Sequence, residues 1–510
     1  MDNFYWPLIL AFSILGGIPL VLLSARYAKN IFTVLSLGQM MVNLAVLPFL
    51  SFGRTAYAWA PGQLPELAFI FQGGSKMFFL LNSFALLAAG HFLPLEMFSR
   101  GSIILIFALA AVLNGLALAG NIFTALLFAE LAMMIFYLLY ALKWPCDQIT
   151  SNQTTETSQG TTKISAGSAP ANFSLSILTP NFVVSSLLLW PGVILLASLG
   201  LRDTSVMALS LENAEASDVI TQLITHQMLP STLQQILLVL FIVGWWLRLG
   251  IFPFHRPYLR LMLARPVGIN LFFILYLGIL VLQIWPQFMS AFLGIYPFVG
   301  HILEIILFWV LAYLMLQACS RSHLRERGLY FICGQISFLL MMTVVAWKGT
   351  GALFLWANTF LVAVGLGLLG EKFRRLNLSF SLAYHPEIAF MRYFKIFFIL
   401  LALAAAFFPF TPGILGPRDV FYRDITAHGW PTGAGILDFI LAAACWLQSV
   451  QMIFVVPSKT ADRSATAVLT PPPRPMDFMP YELALAIGIV LLILANGIFP
   501  QWPYILHWAG

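Results

Sequence analysis

Apolar runs of about twenty residues recur along this chain, and the charged residues fall mostly in the gaps between them. About twenty residues is the length of helix that crosses a bilayer core, where peptide groups must be satisfied within the segment itself. The 510 residues are 60% hydrophobic and only 9% charged, a balance that a fold facing water on all sides has no use for. The expected fold class is therefore an all-α polytopic membrane protein. Reading the runs in order predicts about fourteen transmembrane helices: 5–24, 32–52, 76–94, 102–119, 122–142, 180–200, 233–253, 266–287, 289–318, 329–347, 350–370, 393–411, 434–456 and 479–500. The ninth is long enough to include an interfacial turn near Tyr296-Pro297.

Two stretches read differently. Residues 146–175 are rich in Ser, Thr, Asn and Gln and read as a flexible loop. Residues 203–230, with Glu212, Glu215 and Asp218, read as an amphipathic surface segment. The start is apolar but acidic at its tip, so it reads as a first span and not as a signal peptide. Cys146, Cys319, Cys333 and Cys445 share no metal or redox spacing, and no NAD-binding glycine motif is present. No cofactor is expected in this chain, and the net charge of +6 reads as loop charge, not as a nucleic-acid surface. Lys and Arg collect in the connections after spans 1, 7, 9 and 11: Arg26 and Lys29; Arg256, Arg260 and Arg265; Arg321, Arg325 and Arg327; Lys372, Arg374, Arg375, Arg392 and Lys395. All four connections are odd-numbered, so the positive-inside rule places them in the cytoplasm of a bacterial-type inner membrane and both termini on the outer side.

Ionisable residues within spans are functional candidates. Arg248 lies five residues before Pro253 in the stretch from Phe241 to Val267, and His255 follows at once. A Pro removes a backbone donor, so a span broken there needs protein or water to satisfy what it frees. Glu130 is mid-span, with Asn121 before it and Tyr137 after it; a buried carboxylate needs a partner or a proton, and Arg248 is the expected partner. Glu304 with His301, and Asp438, read equally well as interfacial or internal. Arg418 follows a second helix-breaking run with Pro409, Pro412, Gly413, Gly416 and Pro417, and Asp419 beside it is a ready neutralising partner. Two broken spans, the seventh and the twelfth, five apart and each with one cation, suggest two inverted five-helix repeats around an ion pathway. The expected division is 1–120 for the first four helices, 121–288 for the first repeat, 289–430 for the second and 431–510 for the last two helices.

These motifs together resemble the antiporter-like proton-channel subunits of respiratory complex I, membrane hydrogenases and multisubunit sodium/proton antiporters. The family's ELxxxxxY corresponds to Glu130 with Tyr137. Its broken helix with a cation before PFH corresponds to Arg248 before Pro253-Phe254-His255. Ala264-Arg265-Pro266-Val267 matches its APxPV loosely. Its LKRLLAYSSISHMGF corresponds to the run from Leu324-Arg325 to Phe338, with Tyr330 kept and Gln335 at the histidine position. Its second broken helix corresponds to FFPFTPGILGPRDVF, with Arg418 near the channel lysine. The likeness covers roughly residues 76–425.

The resemblance implies a proton pathway through Glu130, Arg248, His255, Tyr276, Glu304, Gln335 and Arg418, with Tyr276 at the place of a family lysine. Two channel lysines are arginines here, and arginine holds its charge where lysine exchanges a proton. It also implies partners: other membrane subunits, surrounding lipid, and a peripheral soluble arm or soluble partner that carries any redox chemistry. Three functions are compatible with that family: a proton-translocating subunit of a complex I-like NADH:quinone oxidoreductase or hydrogenase-type assembly; a membrane subunit of an inorganic-carbon transporter or cation/proton antiporter; and a structural subunit that has lost conduction.

Overall fold

The computed structural model describes residues 12–19, 28–46, 56–59, 67–70, 73–93, 99–120, 122–141, 180–191, 231–264, 266–286, 297–344, 350–376, 391–408, 411–415, 429–454 and 477–498. The expected loop at 146–175, the segment 203–230, Asn121, Arg265, Arg418 and Asp419 lie outside the described residues. The chain forms two compact units, one of the described residues from 12 to 302, the other of those from 303 to 498.

In the first unit the helices are α1 (Ala28–Val46), α2 (Gly73–Phe92), α3 (Arg100–Ala117), α4 (Ile122–Ala141), α5 (180–191), α6 (Ser231–Leu249), α7 (His255–Ala264) and α8 (Val267–Ile279, continued as a π-turn over Leu280–Ile284). α2 packs against α1, α3 and α8. Lipid supplies no hydrophobic drive between helices, so close backbone approach and buried polar contacts hold such faces together. Both are present. A Cβ on Gly268 of α8 would stand 3.1 Å from the Ala89 Cα of α2. Asn82 Nδ2 of α2 donates to Asn114 Oδ1 at 2.7 Å and to the Ala110 carbonyl at 2.8 Å, both on α3. Asn43 of α1 donates to Ser83 of α2.

A small antiparallel hairpin, β1 (Ala56–Trp59) with β2 (Leu67–Ile70), stands between α1 and α2. It is an addition to the helical reading, which took these residues as a connection. Aromatic and small residues flank a Pro-Gly pair there, a composition that suits a hairpin.

The second unit contains most of α9 (Pro297–Ser320), with α10 (Leu324–Val344), α11 (Thr350–Arg375), α12 (Arg392–Ala405), a short 3-10 turn over Pro412–Ile414, α13 (Gly429–Phe454) and α14 (Pro480–Ile498). α9 starts at Pro297, where a missing N–H costs nothing, so the expected turn near Tyr296-Pro297 is the helix start. α11 packs on α10, α12 and α14, and α13 on α10 and α12. Arg327, expected as a loop charge, is buried in the first turn of α10. Its guanidinium donates to the carbonyls of Cys445 (2.9 Å), Cys319 (2.9 Å) and Arg321, and to Ser449 Oγ (2.8 Å). Lys372 and Arg375 are likewise engaged, both pairing with the buried Glu482 of α14, at 3.5 and 2.8 Å.

Eight of the described helices are long and apolar enough to cross a membrane: α3, α4, α8 with its π-turn, α9, α10, α11, α13 and α14. The protein is a multi-pass helical membrane protein.

Candidate functional site

The helix that carries Arg248 is interrupted, as expected, and the break is built into the protein. α6 ends at Leu249; Gly250 then takes φ +61°, Pro253 lies in the turn that follows, and α7 begins at His255. A helix end inside a bilayer leaves carbonyls that need donors. Side chains supply them: Tyr258 Oη donates to the Leu247 carbonyl at 2.9 Å, and Trp246 Nε1 to the Phe252 carbonyl at 2.8 Å. The Tyr258 ring packs where a Cβ on residue 250 would be, 2.5 Å from its nearest atom, so glycine is required by space as well as by φ.

At the end of α6, one residue before Leu249, Arg248 is fully buried. Its Nη2 donates to Glu130 Oε1 at 2.6 Å and to Ser186 Oγ at 2.8 Å. Ser186 in turn donates to the same carboxylate, lying 2.9 and 3.1 Å from its two oxygens. Three helices thus meet in one charged triad: α4 brings the acid, α5 the hydroxyl and α6 the guanidinium. Phe182 of α5 lies with its ring centroid 4.9 Å from the Arg248 guanidinium carbon, a cation–π contact. The Glu130 side chain keeps 20% exposure, so this triad opens on the acid's side and is closed on the arginine's. Arg248 Nε and Nη1 have no hydrogen-bond partner among the described residues.

Tyr276 of α8 is buried within reach of the charges of both Arg248 and Glu130, with its ring 5.9 Å from Phe136 of α4. Its hydroxyl has no partner among the described residues. His255 is buried at the head of α7, beside the Phe252 ring at 5.6 Å. Of the residues singled out from sequence, Glu130, Arg248 and Tyr276 therefore come together, while Tyr137 is exposed on α4.

Gln335 and Glu304 belong to the second unit. Glu304 is buried on α9, and His301 one turn before it is exposed. Gln335 on α10 is fully buried and donates to both oxygens of Asp438 on α13, at 2.9 and 3.1 Å. Asp438 is thus buried inside the protein. The second broken span is also present: α12 stops at Ala405, Phe407 takes φ +56°, and the 3-10 turn begins at Pro412. Asn358 of α11 donates to the freed Ala404 carbonyl at 3.0 Å.

Sequence reasoning missed Ser186. The only signal was a Ser pair, Ser185-Ser186, inside an otherwise apolar run. No group of three or more His, Cys, Asp or Glu side chains that would hold a metal ion is present among the described residues.

No protein-family model matches the sequence, and no curated protein sequence does either. Solved structures do match along nearly the whole chain. A chain of respiratory complex I from Thermus thermophilus, solved with bound NADH, superposes with a TM-score of 0.72 at 17% identity, covering 99% of this chain and 98% of that one. A chain of the Mrp complex from Dietzia sp. DQ12-45-1b gives 0.72 at 15% identity, over 99% and 96%. A chain of the membrane-bound sulfane sulfur reductase, an archaeal respiratory membrane complex, gives 0.68 at 12%, again over 99% and 96%. At these identities the likeness is one of fold. That fold, the one expected from the sequence motifs, is shared from end to end with chains of these three complexes.

Proposed function

We propose that this chain is a proton-conducting, antiporter-like subunit of a multisubunit membrane complex, in which ion movement through the chain is coupled to electron transfer carried by partner subunits. The observation that carries this is the Glu130–Ser186–Arg248 triad beside a broken helix. A carboxylate and a guanidinium are held in the apolar interior of a fold shared with respiratory membrane complexes. A pair of this kind is expensive to bury and is retained where charge is used. Tyr276 and His255, with Glu304, Gln335 and Arg418 in the rest of the chain, are the further members of the proposed pathway.

Arginine changes how such a pair works. Arg248 stays charged, so it acts as a fixed counter-charge, and the moving proton passes by Glu130 and water. The partly open side of Glu130 is the place of exchange. The test is proton uptake into vesicles bearing the chain with its complex, followed with a pH-sensitive dye. Glu130→Gln should abolish most of the uptake, and uptake unchanged by that substitution would overturn the assignment.

A second reading is cation/proton antiport, since the chain superposes equally well on a chain of the Mrp complex and on one of complex I. It separates from the first by one addition: sodium on one side should drive proton movement only in an antiporter. The peripheral arm or soluble partner, the bacterial-type inner membrane and the outward-facing termini complete the proposal.

A further inference from the structure

Asp438 makes the sharpest contrast with the triad. Its carboxyl is fully buried on α13, and its hydrogen-bond partner is the Gln335 amide, also fully buried, on α10. No cation pairs with it among the described residues, whereas Glu130 has a guanidinium at 2.6 Å and keeps 20% exposure. A carboxylate taken out of water with one neutral amide beside it lacks compensation for its charge; a proton removes that charge at once.

The amide is suited to both forms. A carboxylic acid offers one O–H donor and one carbonyl acceptor, and a primary amide offers the complementary pair. In the observed orientation Nε2 serves both Asp438 oxygens, which fits the ionised acid. Gln335 Oε1 has no partner among the described residues. A half-turn of the amide exchanges its N and O positions, so that Oε1 takes the place facing the carboxyl and accepts from the acid O–H. One side chain therefore accommodates the proton's arrival and its departure.

We propose that Asp438 is a proton-binding site of the second unit, a carboxylic acid that loads and releases a transported proton against Gln335. On release the O–H bond breaks, its electron pair stays on the carboxylate, and the proton passes to water; nothing is oxidised or reduced. The proposal rests on the conducting function above. It assigns the exchangeable proton to a residue without a cation, where Arg248 cannot supply one.

The test pairs infrared spectroscopy with flux. The full chain in lipid vesicles at neutral pH should show the carbonyl stretch of a protonated carboxylic acid, shifted in heavy water. The stretch should be absent from Asp438→Asn and retained in Glu130→Gln. Asp438→Asn should lower proton uptake by the complex at least about tenfold, and Asp438→Glu should restore part of it. If Asp438→Asn folds poorly, Gln335→Met gives the same answer: the stretch persists but moves, because its hydrogen-bond partner is gone. No stretch assignable to Asp438 in the parent, or full uptake in a folded Asp438→Asn, would overturn the proposal. The stretch needs no transport to be seen. A parent that shows it yet moves no protons would sink the conducting function and leave the protonated acid standing.

Discussion

At the scale of single residues, the chemistry turns on which acid has a cation. Removing one partner of a buried pair strands the other charge and costs about 3–5 kcal/mol, with the lower end apt for Glu130 because its side is partly open. Arg248→Ala should therefore lower the yield of folded protein in detergent as well as proton uptake. Arg248→Lys keeps the charge and should fold; it also introduces a cation able to give up a proton, so uptake should equal or exceed the parent's. Lower uptake in a well-folded Arg248→Lys would mean that the fork geometry of the guanidinium, not its charge, is what matters. Ser186→Ala leaves the 2.6 Å ion pair in place but removes hydrogen bonds to two charged groups, about 1.5–3 kcal/mol by the usual worth of such bonds. Its melting temperature should fall while measurable uptake persists. The pairing of Glu130 with Arg248 was legible because both are rare ionisable residues in apolar runs and each demands a partner. Ser186 was not, since a hydroxyl can satisfy itself on its own helix, as Ser186 also does at the Phe182 carbonyl 3.1 Å away.

Among whole elements, the broken helices were the most legible feature and the helix faces the least. Pro253 and the Pro412-Gly413 run announce interruptions that no lipid-facing helix tolerates. What the sequence did not show is how each break is satisfied, because the donors come from a turn away or from another helix: Tyr258 and Trp246 at the first, Asn358 at the second. Helix faces were obscure for a different reason. In water, apolar residues mark the buried side; in lipid both sides are apolar, and the periodicity that would orient a helix is weak. α13 shows the consequence. Ile436, Phe439 and Ile440 are exposed while Asp438 among them is buried, and nothing in the run distinguishes them except the charge. The first break offers an element-level test. Gly250→Ala puts a methyl into the Tyr258 ring at a positive φ, which costs about 1–2 kcal/mol from the backbone alone. The expected result is a lower melting temperature in detergent, partly recovered when Tyr258 is also shortened to Leu. No change in melting would show that the turn yields more readily than its packing implies.

For the whole molecule, the remaining question is which way the chain faces, and the structure alters the charges on which that rests. Arg327 is a buried donor inside the second unit, and Lys372 and Arg375 are committed to Glu482. Each was counted as a loop cation. The positive-inside bias acts during insertion, before those contacts exist, and it counts Lys and Arg near span ends whether or not they later find partners. Arg321 and Arg325 remain in the same connection as Arg327, and Arg374, Arg392 and Lys395 in the one that follows α11. The four basic connections all have odd numbers, and adding or removing a pair of spans leaves that parity intact. Reporter fusions at residues 260, 325 and 375 should therefore all report the cytoplasm, with fusions at either terminus reporting the opposite side. The junction at 375 is the most informative of these, because its connection has lost the most charge to internal contacts, Lys372 and Arg375 both pairing with Glu482. If 375 reported the outside while 260 and 325 reported the cytoplasm, a span would have been gained or lost between 325 and 375, and the outward position of the C-terminus would fall with it.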